Sequence, residues 1–152
     1  MSDQELRSLL EQEIDILRQL NALSLAKKEA LLKDDLDALS EIVLKEDKLT
    51  ESFKEIDDAC SPQVQFFLSA HADEMHYPPD IKELLLEVRQ LATQLRASNQ
   101  FNQDLITDAL NLARFMLNSL LPTEDKTVGT YSSSGKTVNK HIVNPHLLDY
   151  KG

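Results

Sequence analysis

Residues 80–121 read DIKELLLEVRQLATQLRASNQFNQDLITDALNLARFMLNSLL, and this stretch decides the fold of the chain. It contains neither Gly nor Pro and is rich in residues with high helix propensity. Pro78 and Pro79 precede it and Pro122 follows it, which are positions where a helix begins or ends. The pattern predicts one helix of about 60 Å, at about 1.5 Å per residue. Such a helix needs other long helices, a partner, or both along its length.

The apolar residues of this helix recur at alternating steps of three and four residues, the spacing of a seam packed on another helix. Ser98 and Asn102 interrupt the seam in its middle. Polar seam residues either fix the register of a bundle or mark a point where it opens, and both interpretations stand. The seam consists of Leu84, Val88, Leu91, Leu95, Leu105, Ala109, Leu112 and Met116.

The last third of the helix is apolar on more than one side. Such a helix is either fully buried or open to a partner. The rest of the chain offers little apolar sequence to cover both sides, so a partner surface and burial by neighbouring helices are both considered. Beside the seam lie Ile106, Leu110, Phe115, Leu117, Leu120 and Leu121.

The beginning of the chain predicts a helical hairpin. Ser2 and Glu5 have the spacing of a capping box, so a first helix is expected from there to about Lys33. Asp34 and Asp35 are N-cap candidates for a second helix. A hairpin is favoured over one bent helix, because a continuous helix would leave its seams without a partner of matching length.

Ser61 and Pro62 predict a restart, with Ser as N-cap and Pro at the first helical position. A short helix is expected over residues 62–72 and a connection over 73–79. After Pro122 the sequence is polar and holds all three glycines, which predicts a flexible or extended tail over 122–152. We therefore expect an all-α fold with a helical bundle domain over residues 1–121. The bundle is antiparallel and consists of a hairpin, a short helix and one very long helix.

The charge of the chain bears on its partners. The formal net charge is −10. Residues 122–152 hold four lysines against three acidic residues, about +1, so the helical body carries about −11. This argues against nucleic acid and anionic membranes, which are bound through positive charge. No apolar run is long enough to span a membrane. Cys60 is the single cysteine, so no disulfide is expected, and a cytoplasmic location is the default.

The sequence carries no convincing catalytic or metal-binding constellation, so we expect no enzyme activity and no cofactor. His71 and His76 are five residues apart, which does not place them on one helix face. His141 and His146 lie in the tail, and no phosphate-binding loop is present. Cys60 on an apolar face is expected to be a small core residue. A binding function remains.

Three stretches resemble the FlgN-like family of flagellar export chaperones. Residues 29–39, EALLKDDLDAL, are similar to the family's junction between its first two helices. Residues 98–102, SNQFN, resemble an Asn-x-x-Asn element in the family's long last helix. Residues 130–135, TYSSSG, are similar to a Tyr-Gly-x-x-Gly tail element, with Ser132 in place of the first Gly. The resemblance covers about residues 1–136.

The resemblance implies a cytoplasmic, substrate-specific chaperone that binds the C-terminal helical segments of hook-associated proteins of the hook-filament junction. It would prevent their premature association and deliver them to the flagellar type III export gate. We expect the protein to be a monomer or a weak homodimer. Contact with the client would fall on the second half of the long helix and the start of the tail, with Tyr131 contacting gate or client. The candidate partner-binding residues are Leu105, Ile106, Leu110, Leu112, Phe115, Met116, Leu120 and Tyr131.

Two other functions fit the same residues. A helical adaptor or coiled-coil scaffold would act through homo-oligomerisation, and would form a stable oligomer whose seam needs no client. A bundle enzyme or metal carrier would hold stoichiometric metal after purification.

Overall fold

Three α-helices form the part of the chain that the computed structural model describes, residues 2–121. They are α1 (Asp3–Leu32), α2 (Leu36–Ala70) and α3 (Pro79–Leu120), with a short 3₁₀ helix at Glu74–His76 in the connection before α3. The predicted all-α class is confirmed. These residues form two compact units, residues 2–98 and residues 99–121, which are described separately. The predicted tail lies outside the described residues, and the predicted domain division stays a prediction.

Both ends of α1 follow the sequence prediction. The Ser2 hydroxyl accepts a hydrogen bond from the Glu5 amide at 3.3 Å, and the Glu5 carboxylate accepts one from the Ser2 amide at 3.4 Å. This capping box satisfies backbone donors that a helix start leaves open. The helix ends at Leu32, one residue before the predicted Lys33.

The tight turn between α1 and α2 confirms the predicted hairpin. Asp34 has a φ of 55°, a left-handed conformation that Asp tolerates better than most residues. The Asp35 amide donates to the Ala30 carbonyl at 2.9 Å, and the Asp35 side chain accepts from the Ala38 amide at 3.1 Å. One aspartate therefore turns the chain and the next caps α2.

The predicted restart at Pro62 is wrong, because α2 continues through this proline to Ala70. An internal proline removes one backbone hydrogen bond and costs about 3 kcal/mol. Continuity, however, keeps Cys60 and Phe67 on one side of a single helix, and both are buried in the same core cluster. The Ser61 hydroxyl does not cap a new helix; it donates to the Asp57 carboxylate at 3.1 Å, one turn earlier.

Two hydrophobic clusters hold the first unit together, and each joins all three helices. The first contains Ile81 of α3 with Cys60 of α2 and Leu10 of α1, which are 0–1% exposed. The second contains Leu95 of α3 and Leu17 of α1, with partly buried residues of α2 packed against them. The first half of α3 therefore inserts its seam between α1 and α2. The remaining buried apolar members are Leu6, Phe67, Ile16 and Leu20.

Polar contacts set the direction of the helices in this unit. Ion pairs join Arg7 of α1 to Asp80 and Arg18 to Glu87 on α3. Further along both helices, the Asn21 amide donates to the Leu91 carbonyl at 3.1 Å. Residue numbers rise together along these contacts, so α1 and α3 run parallel. The hairpin makes α2 antiparallel to α1, which gives an up-down-up arrangement.

Two buried polar contacts follow the apolar clusters. The Ser24 and Ser98 hydroxyls are 2.6 Å apart, so the polar seam position at Ser98 has a partner on α1. The Lys27 ammonium lies 3.1 Å from the Glu46 carboxylate, and both side chains are less than 10% exposed. These contacts favour the interpretation that the polar seam residues fix register, because a shift of one helix would leave them buried without partners.

Candidate partner-binding surface

The second half of α3, residues 99–120, carries the partner-binding residues that the sequence predicts. It remains helical because it lacks Gly and Pro and contains several Leu and Ala residues, which have high helix propensity. Large apolar side chains in this half lie exposed rather than in a core. Phe115 is 69% exposed and Leu120 is 79% exposed. The other exposed large apolar residues after Asn102 are Leu110, Leu112, Met116, Leu117 and Leu121.

The structure places the predicted site residues in three groups. Leu105 and Ile106 are half-buried. Tyr131 lies outside the described residues. The exposed group consists of Leu110, Leu112, Phe115, Met116 and Leu120. Single exposed apolar side chains are common on protein surfaces, whereas a continuous patch of them marks an interaction site. The arrangement of these residues around the helix therefore matters more than their number.

A heptad register orders the residues of α3. With Ile81 at position a, the a positions continue through Val88, Leu95 and Asn102 to Ala109 and Met116. The d positions of the second half are Leu105 and Leu112. In residues 79–98 the a and d positions are those that pack against α1 and α2. The same seam therefore continues into the second half of the helix.

Most of the exposed apolar residues of this half share one side of the helix, and Leu121, at position f, lies outside it. Positions d, a, e and b together cover an arc of about 160°, at about 100° per residue. Phe115 stands at position g, about 60° beyond the d edge, and with it the arc widens to about 220°. We call the set the C-terminal apolar face. It consists of Leu105, Ile106, Ala109, Leu110, Leu112, Ala113, Phe115, Met116, Leu117 and Leu120.

Few charges border this face. Residues 99–121 hold Asp104, Asp108 and Arg114 as their only charged residues, a net charge of −1. Asp104 lies on the opposite side at position c and accepts a hydrogen bond from Gln100 at 3.0 Å. Asp108 lies at position g and is exposed. An aliphatic face with one acidic border residue is suited to an amphipathic helix and offers no catalytic group.

Two side chains inside the first unit have raised pKa values. Burial raises the pKa of the Glu13 carboxyl to about 7, and its hydrogen bond with Asp57 adds to this effect. Burial likewise raises the pKa of the Cys60 thiol to about 12, so the thiol stays protonated and unreactive. Cys60 is 1% exposed, which confirms the predicted core role.

Sequence reasoning missed Glu13 and Lys27 as buried residues. Both stand at seam positions of α1. Alternating steps of three and four residues connect positions 10, 13, 17, 20, 24 and 27, a series that begins with Leu10 and includes Leu17. The buried partner of Lys27 is Glu46 of α2, so two of these buried charges form an ion pair. Charged residues at seam positions were thus the signal in the sequence that could have predicted this burial.

Residues 2–121 contain neither a membrane-spanning helix nor a metal-binding cluster of side chains. No described helix combines the length and hydropathy needed to cross a membrane. Within the same residues, no group of three or more His, Cys, Asp or Glu side chains is placed to hold a metal ion.

A family model described as FlgN protein matches residues 1–139 of the 152 residues. No curated protein and no solved structure matches the chain.

Proposed function

Because the chain belongs to the FlgN family of flagellar export chaperones, we propose that it binds the C-terminal helical segments of hook-associated proteins of the hook-filament junction. Bound in the cytoplasm, these segments are kept from premature association and are delivered to the export gate. The match over residues 1–139 is the observation that carries this proposal. Flagellar export and a chaperone role follow from the family itself, whereas the client and the delivery step are proposed.

The C-terminal apolar face supplies the binding energy in this proposal. Burial of a fully exposed Leu, Phe or Met side chain contributes about 1.5–3 kcal/mol. Several residues of this face are more than half exposed, among them Leu112, Phe115 and Leu120. Their burial can offset the cost of association and reach micromolar affinity, which requires about −8 kcal/mol. An amphipathic client helix would thereby cover the apolar side that makes it self-associate.

The charge of the chain supports the same role. The net charge of −10 causes electrostatic repulsion between copies of the protein. This repulsion opposes self-association through the exposed apolar face. We accordingly propose that the free chaperone is a monomer or a weak homodimer. Tyr131 is proposed to contact the export gate or the client, on the resemblance of its surrounding residues to the family's tail element.

The proposal is tested by calorimetric titration of the full chain with the C-terminal segment of each hook-filament junction protein from the same organism. We expect saturable one-to-one binding to at least one segment. Leu112→Asp should weaken this binding about tenfold or more, because a buried charge replaces a central apolar contact. Its matched control is Asn111→Asp, which places the same charge on the neighbouring exposed residue outside the face.

Two results would count against the proposal. One is the absence of binding to any junction segment by a protein with full helix content. The other is an equal loss of affinity in Leu112→Asp and Asn111→Asp, which would indicate an effect of charge rather than of the apolar face. A melting temperature measured for both variants separates binding from folding, since neither residue is buried.

A further inference from the structure

We propose that the C-terminal apolar face receives two helices of the client side by side, so that this half of α3 becomes the third helix of a mixed three-helix bundle. This inference rests on the proposed function and adds the shape of the client segment: a pair of amphipathic helices rather than a single one. One client helix lies along the d and g edge of the face, and the other lies along the e and b edge.

The first half of α3 shows how its seam is covered within the first unit. Ile81 and Leu95, both at position a, are buried in clusters that join residues of α1 and α2. Leu85, at position e, packs against the cluster that contains Cys60 and Phe67 of α2. The seam of α3 is thus built to lie between two helices. Since apolar a and d positions resume after the polar Ser98 and Asn102 and continue to Met116, the same geometry is available for two helices in the second half.

The b positions distinguish the two halves of α3. In the first half they are Lys82, Arg89 and Arg96, all exposed to solvent. In the second half the first b position is Gln103, and the next two are Leu110 and Leu117, which are 39% and 60% exposed. One helix packed on the a and d seam cannot cover position b, which lies about 100° from a and about 160° from d. Burial of the leucines at position b therefore requires a second helix on that edge.

The g positions indicate the chemistry of the helix on the other edge. Asp80 and Glu87, at position g, form ion pairs with Arg7 and Arg18 of α1. Asp108 occupies position g in the second half, followed by Phe115 one heptad later. A client helix in the corresponding place would carry a basic residue opposite Asp108 and an apolar residue opposite Phe115.

The experiment compares two probes against the full-length chaperone by calorimetry. One probe is a recombinant junction-protein segment that contains its last two predicted helices, and the other is its last helix alone as a synthetic peptide. The chaperone variants are Leu117→Lys at the b edge and Phe115→Asp at the g edge. Asn118→Lys is the control, because it adds the same charge on an exposed position outside the face.

We expect the two-helix segment to bind about tenfold or more tightly than the single helix, because it covers both edges. Both edge variants should weaken binding of the two-helix segment by about tenfold or more, and Asn118→Lys should not. For the single helix, only one of the two edge variants should reduce affinity. All three altered residues are exposed, so helix content and melting temperature should stay unchanged.

Several outcomes would overturn the inference while leaving the proposed function intact. Equal affinity of the two probes would do so, and so would wild-type affinity of Leu117→Lys for the two-helix segment. Tighter client binding by Leu117→Lys would mean that residues 122–152 of the chain itself cover the b edge. Self-association of the free wild type that Leu117→Lys abolishes would mean that a second copy covers it. If neither probe binds the wild type, the proposed function fails as well.

Discussion

Replacement of Glu13 by Gln should make this protein more stable at alkaline pH and should flatten the pH dependence of its stability. Glu13 is 4% exposed, and its Oε1 atom accepts no hydrogen bond from the described residues. Asp57 and Cys60 of α2 face it: burial and the neighbouring Asp57 favour its protonated form and raise its pKa, whereas the hydrogen bond with Cys60 acts in the opposite direction. Gln has nearly the same shape and stays neutral, and its amide can donate a hydrogen bond to Asp57.

The sign of the effect follows from proton linkage. Burial raises the pKa of Glu13 from 4.5 to about 7, so the folded protein holds the proton over a pH range in which the unfolded chain has lost it. Stability is therefore fully present below about pH 4.5, falls as pH rises, and levels off above about pH 7. The whole change corresponds to about 3 kcal/mol, at about 1.4 kcal/mol per pKa unit. About 2 kcal/mol of it falls between pH 5.5 and pH 8.

Urea denaturation followed by circular dichroism at 222 nm at these two pH values measures the effect, since the chain has no Trp. The unfolding free energy of the wild type should fall by about 2 kcal/mol more than that of Glu13→Gln between pH 5.5 and pH 8. Glu11→Gln is the matched control, because Glu11 is exposed on the same helix, and its profile should follow the wild type. Parallel profiles for the wild type and Glu13→Gln would refute the reasoning, because Glu13 would then be ionised in the folded protein at no cost.

Two further predictions follow from the buried ion pair and from the tail. Lys27→Met leaves the buried Glu46 carboxylate without its ammonium partner and should cost about 3–5 kcal/mol in urea denaturation. The double variant Lys27→Met/Glu46→Leu should recover most of this loss, and no recovery would show that Lys27 stabilises the fold through other contacts. Deletion of residues 123–152 should leave the circular dichroism signal per molecule nearly intact, because the deleted sequence is polar and holds all three glycines of the chain. The same deletion should weaken client or gate binding in calorimetry; unchanged affinity for both would remove the tail, including Tyr131, from the proposed site.

Local signals in the sequence accounted for most helix boundaries. The capping box at Ser2 and the N-cap at Asp35 act within one helical turn, so no distant contact is needed to recognise them. The end of α3 is set by Pro122, which follows its last turn. Pro62 is the exception, because the burial of Cys60 and Phe67 on one side of α2 outweighs a local signal. A proline in the sequence indicates a loss of helix stability. Only the tertiary structure shows whether the burial of neighbouring side chains offsets this loss.

The polar seam residues and the C-terminal apolar face also separate what the sequence predicts from what only the tertiary structure shows. Periodicity placed Ser98 and Leu112 on a seam, since the helical period is a property of the sequence. It could not say that Ser98 bonds Ser24, that Glu46 pairs with Lys27, or that Leu112 is exposed. The sequence by itself determined the helices and the sides of them that are apolar. Only the tertiary structure decided which of those sides are covered, because burial depends on which other helix lies against a residue.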